Sequence, residues 1–180
     1  YYKGIFTTLS SCASRQLEEV TFRRATISVP ELMATAGKYF RKVYKGNKAH
    51  IDFKIQPLEG RITGDWNQLR FLLENLIDEA CSVTLDGAVC LSAREDGEFI
   101  RFLFTDMRRE KTREELNQLF YPDLSRMTAG EKGELYGTEY LVCKQIIRDH
   151  DEFAGRRGCR INAEPGKEGG FTIYFTLPKK

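Results

Sequence analysis

The stretch from Asp65 to Ser82, DWNQLRFLLENLIDEACS, limits what this chain can become more than any other. At about 100° per residue, Trp66, Leu69, Leu72, Leu73, Leu76 and Ala80 share one helical face, with charged and amide side chains on the other. Such an apolar stripe has to be covered by a second layer of structure. Asp65 opens this helix. A second helix is predicted after Ser28-Val29-Pro30-Glu31: Ser28 caps, Pro30 presets φ for the first turn, and Glu31 lies three residues after the cap. It continues through Leu32, Met33, Ala36, Phe40 and Val43 and stops at Gly46-Asn47.

The covering layer is legible as strands. His50–Ile55 alternates, with Ile51, Phe53 and Ile55 on one face and His50, Asp52 and Lys54 on the other. A short extended piece, Arg61–Thr63, sits between Gly60 and Gly64. Ala88–Ala93 and Phe99–Thr105 read as a hairpin turning through Arg94-Glu95-Asp96-Gly97. After a charged stretch and a loop around Gly130, Gly133 and Gly137, a helix is predicted over about 139–149. Cys159–Ala163 and Phe171–Leu177 form a second hairpin through the Gly-rich turn at 164–170. This order predicts an α+β fold: a two-layer sandwich with helices on one face of a mixed, mostly antiparallel sheet. A doubly wound parallel sheet would need strict βαβ alternation, which is absent. Residues 4–20 carry apolar side chains at loosely helical spacing. Residues 1–26 are therefore expected to be an appendage, the tail of an upstream helix, before a domain spanning 27–180. Because the chain starts at Tyr1 without a signal-peptide pattern, a fragment of a longer protein is expected.

Composition narrows the function classes. With 41% hydrophobic and 30% charged residues, the chain reads as globular and soluble. No apolar run reaches the roughly 18 residues of a membrane span. Lys+Arg 28 against Asp+Glu 26 gives +2, which does not by itself point to nucleic acid or an anionic surface. The five cysteines lack CxxC spacing and read as buried free thiols in a reducing, cytoplasmic setting. With His50 and His150 as the sole histidines, a His/Cys zinc site is not expected.

Four segments in this order, DWNQLRFLLENLIDEA, FLFTD, GTEYLVCKQIIRDH and AEPGKEGGFTIYFTLP, resemble the catalytic ATP-binding domain of sensor histidine kinases, in the superfamily that includes DNA gyrase, Hsp90 and MutL. The resemblance spans about residues 27–178. It implies a fold that holds ATP and magnesium between helix and sheet under a lid, with an upstream segment of the same protein, a second copy, or a response regulator or other signalling protein as partners. Carried over by position, it implies an ancestral pocket at Asn75, Glu79, Asp106, Gly137 and Glu139. Asn75 and Glu79 match the two asparagines of the family helix, and Glu79 stands at the magnesium ligand. A carboxylate is a legitimate oxygen ligand for that ion, but it adds negative charge beside a polyphosphate. Asp106 matches the aspartate that recognises the adenine amino group. The family's Asp-x-Gly-x-Gly reads here Asp106-Met107-Arg108-Arg109-Glu110, without either glycine. Gly-x-Gly reads Gly137-Thr138-Glu139, and a carboxylate at that helix start competes with phosphate for the free N–H groups.

Each position also has a plainer reading. The helix carrying Glu79 reads as an ordinary amphipathic helix, Asp106 as turn chemistry, and Phe120, at the place of a kinase-type Phe box, as core. Arg108, Arg109, Lys111 and Arg113 either grip phosphate directly or form a solvated i,i+4 network with Glu110, Glu114 and Glu115; the solvated network is the expectation taken here. Four departures from the family pattern, Glu79, Arg108, Glu110 and Glu139, lead to the expectation of a degenerate ATPase domain serving as a regulatory or dimer-contacting module. An active, divergent kinase domain phosphorylating a histidine elsewhere is the alternative. Two further classes are a nucleic-acid-binding domain using the RREKTR stretch with Arg156, Arg157 and Arg160, which the near-neutral charge disfavours, and a cysteine hydrolase using Cys143 and His150.

Overall fold

The computed structural model describes residues 22–121 and 139–180. The expected upstream helix tail in 1–21 and the loop carrying Gly137 lie outside the described residues.

The chain runs β1 (Ala25–Ser28), α1 (Val29–Val43), β2 (Ile51–Gln56), β3 (Arg61–Gly64), α2 (Trp66–Cys81), β4 (Gly87–Asp96), β5 (Phe99–Asp106), α3 (Arg113–Gln118), α4 (Glu139–Phe153), β6 (Ile161–Pro165) and β7 (Phe171–Pro178). Ser28 accepts the Glu31 N–H at 3.3 Å, and Asp65 accepts that of Gln68 at 3.1 Å. Each cap satisfies an amide that has no partner inside its helix. The main sheet has the order β2-β4-β5-β7-β6, with β2 and β4 parallel and the other pairs antiparallel. The sandwich is therefore α+β with a mixed, mostly antiparallel sheet, as its element order predicts.

β1 is absent from the sequence reading. It pairs with β3 as a separate two-stranded ribbon, and Phe22 packs edge-on against His150 at 4.9 Å. The folded body thus begins upstream of residue 27. A four-residue strand leaves too little periodicity to read from sequence.

Period-two alternation sets the core. β5 buries Ile100, Phe102, Phe104 and Asp106 while its odd-numbered residues are half-exposed. Phe102 stacks on Phe175 of β7 at 5.0 Å with the rings nearly parallel. Across the layer, α2 contributes Leu69, Leu72, Leu73, Leu76, Ile77 and Ala80, all essentially inaccessible to water. Phe120 is core, edge-on to Tyr140.

His150 and Cys143 do structural work on α4. The His150 ring is fully buried; its Nε2 accepts the Asp65 N–H at 3.0 Å and its Nδ1 lies 2.8 Å from the Ile146 carbonyl. Nδ1 therefore carries the proton, because Nε2 must accept. Cys143 sits 3.7 Å from the Leu72 carbonyl. With both groups committed to α2 and α4, a nucleophile and base are not assembled, and the hydrolase reading is set aside.

Gly64 makes this junction possible, since a Cβ there would stand 2.9 Å from both His150 Nε2 and Leu69 Cδ1. Gly64→Ala should cost about 1–3 kcal/mol by overpacking, read as a lowered urea midpoint at unchanged slope. An unchanged midpoint would show that α4 shifts freely against β3.

Candidate functional site

The site is built by register. Because β5 points its even-numbered residues inward, Asp106 follows Ile100, Phe102 and Phe104 under the helices and is 1% exposed. Glu79, on the last turn of α2, meets it from the helical layer. A carboxylate in this position needs several donors or a cation to offset its desolvation.

Both come from the turn directly after β5. Asp106 Oδ1 accepts the backbone N–H of Arg108 at 3.0 Å and its Nε–H at 2.9 Å. Oδ2 accepts Arg108 Nη2 at 2.8 Å and Arg109 Nε at 2.9 Å. Four donors on two oxygens fill the acceptor positions of the carboxylate. Arg108 is just as fully used. Nη2 also donates to the Ala80 carbonyl at 2.6 Å, and Nη1 donates to those of Val83 at 3.2 Å and Leu85 at 2.9 Å. A buried cation thus sits on carbonyls at the C-terminal end of α2, where the helix dipole favours positive charge.

Arg109 closes the network. Nη1 and Nη2 hold the Glu79 carboxylate at 3.0 and 2.8 Å, a bidentate pair. Its guanidinium lies 5.3 Å from the centre of the Phe171 ring, and the Lys111 ammonium 5.1 Å from the same ring. Two arginines and two carboxylates leave the cluster electrically neutral. Tyr140, buried on α4, stands beside Glu79; burial first, then the adjacent carboxylate, hold its phenol well above the ordinary range. Burial works against ionised Asp106, but the bonds from Arg108 and the charge of Arg109 outweigh it and hold its carboxyl below its ordinary value. Arg109 is likewise opposed by burial, yet the bond to Glu79 holds its pKa above the usual range.

The turn itself is anchored. Glu110 Oε1 accepts the Gly170 N–H from the β6–β7 turn at 2.8 Å, and Thr112 with Glu115 forms a capping box on α3. Gly170 has φ +71, and a Cβ there would collide with the Asp106 carbonyl. Gly87 has φ +139, and a Cβ would stand 2.7 Å from Arg108 Cγ, so this glycine makes room for the arginine stem.

The structure corrects the expectation of a solvated network. Arg108 is 1% and Arg109 14% exposed in their side chains; Arg108 pairs with Asp106, and Arg109 with Asp106 and Glu79, rather than with Glu110, Glu114 or Glu115. The reason is distance in space: the turn folds back under α2, where unneutralised carboxylates outcompete solvent-exposed partners. Asn75 takes no part, since its Nδ2 donates to Phe71 of its own helix at 2.7 Å. Glu139 opens α4, with one carboxylate oxygen shielded from solvent. Among the described residues, no group of three His, Cys, Asp or Glu side chains forms a metal-binding cluster. Tyr140, Gly87 and Gly170 were not singled out from the sequence, although Asp-Gly before a strand and Gly-Gly before another are visible turn signals.

Removing one partner of a buried ion pair leaves the other uncompensated. Arg108→Ala should therefore lose about 3–5 kcal/mol in urea unfolding, and the more accessible Arg109→Ala about 1–3 kcal/mol. Equal losses would refute a network centred on Arg108. The pH dependence follows from the lowered Asp106 value: its contribution is fully present above the ordinary 3.8 and is lost as pH falls through the lower folded value. Asp106→Asn should flatten the acid limb of stability in that window, measured by melting temperature against pH.

Comparisons with known proteins agree on the frame around this site. The family described as "Histidine kinase-, DNA gyrase B-, and HSP90-like ATPase" matches residues 64–180. The adaptive-response sensory kinase SasA of Thermosynechococcus vestitus is 26% identical over 97% of this chain, which spans 44% of that protein. Full-length ShkA in complex with AMPPNP is similar in structure, with a TM-score of 0.70 at 17% identity, covering 96% of this chain and 34% of that one. Histidine kinase ThkA, solved in complex with response regulator protein TrrA, has a TM-score of 0.67 at 17% identity, covering 99% of this chain and 49% of that one. The family match covers most of the chain and includes Glu79, Asp106 and Tyr140, and the fold around them is shared. The chain therefore belongs to the histidine kinase-, DNA gyrase B- and HSP90-like ATPase family.

Proposed function

We propose that this domain no longer turns over ATP and serves as a regulatory or interaction module within a longer, cytoplasmic signalling protein. The observation that carries the reading is the saturation of Asp106 by its own chain. An adenine amino group would have to displace part of the Arg108 contact, leaving a buried guanidinium short of its counter-ion. Breaking such a pair costs about 3–5 kcal/mol, against roughly 1.5–3 for one hydrogen bond to a charged acceptor. The exchange is unfavourable. Magnesium meets the same obstacle, because Glu79 already neutralises Arg109. The residues present do not fit Mg-ATP.

Arg108 and Glu110 in place of the family glycines have a second consequence. Glycine after the strand would permit close backbone approach to phosphate. Here those positions tie the turn to α2 and to the β6–β7 turn, so a nucleotide would find the Asp106 carboxylate already occupied. The partners supported by the family are an upstream segment of the same protein, a second copy, or a response regulator. The free thiols Cys81, Cys90 and Cys159 support a reducing compartment.

The test is a thermal shift of the purified domain with ATP, with and without magnesium. A ligand at a hundred times its dissociation constant stabilises by about 2.7 kcal/mol, several degrees for a domain of this size. No shift is expected at millimolar nucleotide. A magnesium-dependent shift abolished by Asp106→Asn would overturn the reading and restore an active, divergent kinase domain.

A further inference from the structure

The net charge of +2 conceals a segregation. Residues 38–48, KYFRKVYKGNK, hold Lys38, Arg41, Lys42, Lys45 and Lys48 and no acid; the other 23 basic residues face all 26 acidic ones, a net of −3. Lys38, Arg41 and Lys42 stand at i, i+3 and i+4 on α1, so they share one face. Lys45 follows directly after the Tyr44 cap. Lys38, Arg41, Lys42, Lys45, Asn47 and His50 line a cleft of about 800 Å³ between the end of α1 and the start of β2.

The acids nearest in the fold are committed elsewhere. Asp78 Oδ1 accepts the hydroxyls of Tyr39 at 2.7 Å and Tyr44 at 2.6 Å. Asp86 accepts the His50 N–H at 2.7 Å, and Asp52 pairs with Lys54 at 3.7 Å. Among the described residues, no carboxylate lies within ion-pair distance of the five cations. The helix C-terminus favours one or two of these charges. Five together repel one another, and folding alone gives no return for that.

The shape argues for a compact ligand. A concave volume of about 800 Å³ lies within the range of small-molecule sites, whereas a duplex or an extended acidic chain needs a longer cationic track. Ammonium groups supply point charges and a guanidinium supplies a planar fork, the chemistry that grips phosphate oxygens. We propose that this cleft binds a compact ligand bearing several phosphate groups, either a soluble polyphosphate or the phosphorylated headgroup of a lipid. The site is independent of the Asp106 cluster: Asp78 faces the tyrosines of α1, while Glu79, one position on, faces Arg109.

Calorimetric titration of the whole chain with inorganic tripolyphosphate tests this. Binding is expected to weaken at least tenfold in R41Q/K45Q and to weaken as ionic strength rises from about 50 to 200 mM, as screening requires. Both substituted side chains are exposed, so an unchanged melting temperature separates lost binding from lost folding. No heat at about 1 mM anion in low salt, below even the weakest affinities of interest, overturns the proposal. So does binding that survives R41Q/K45Q, or tighter binding to a short DNA duplex or to polyglutamate than to tripolyphosphate. Inositol hexakisphosphate in solution and phosphatidylcholine vesicles containing phosphatidylinositol bisphosphate then name the source, and the tighter of the two identifies it.

Discussion

The Arg108 guanidinium joins the two layers of this domain at the place where they are furthest from being purely apolar. Its donors divide between Asp106 at the end of β5 and carbonyls at and just after the C-terminal end of α2, so one side chain satisfies a buried carboxylate and a helix end together. Neither group is tolerable alone in an apolar interior. The position of Gly87, the anchoring of Glu110 and the Arg109 pair all depend on the turn that presents this guanidinium.

That turn also explains how one fold can hold unlike chemistry. The hydrophobic sandwich fixes where Asp106 and Glu79 stand, because the β5 alternation and the α2 stripe leave no other place for them. Two adjacent arginines then decide what the carboxylates do. A neutral, saturated cluster replaces open acceptors. It is held by ion pairs whose strength comes from the exclusion of water. The same sheet and helices therefore carry a cluster whose acceptors are taken by the protein's own donors.

Much of the fold was legible beforehand. The apolar spacing of α2, the Ser28 cap, the alternation in β2 and the β-rich run of β5 are local signals, and the elements formed where those signals lie. β1 was missed for lack of length. Asp106 and Glu79 were singled out through the family pattern and lie in one buried cluster, but their partners were misread. Arg108 and Arg109 sit in a charged run whose nearest neighbours in sequence are glutamates, and local pairing rules point to those glutamates.

The sequence by itself determined the layers and the α+β class, because periodicity is a property of adjacent residues and burial follows from it. Tertiary structure alone decided that the arginines are buried and which carboxylates they hold. Arg109 and Glu79 are thirty positions apart, and their pairing exists because the β5 turn folds back beneath α2. Ion pairs are chosen by distance in space and by the loss of water around them, and neither quantity is written in the spacing of residues along a chain.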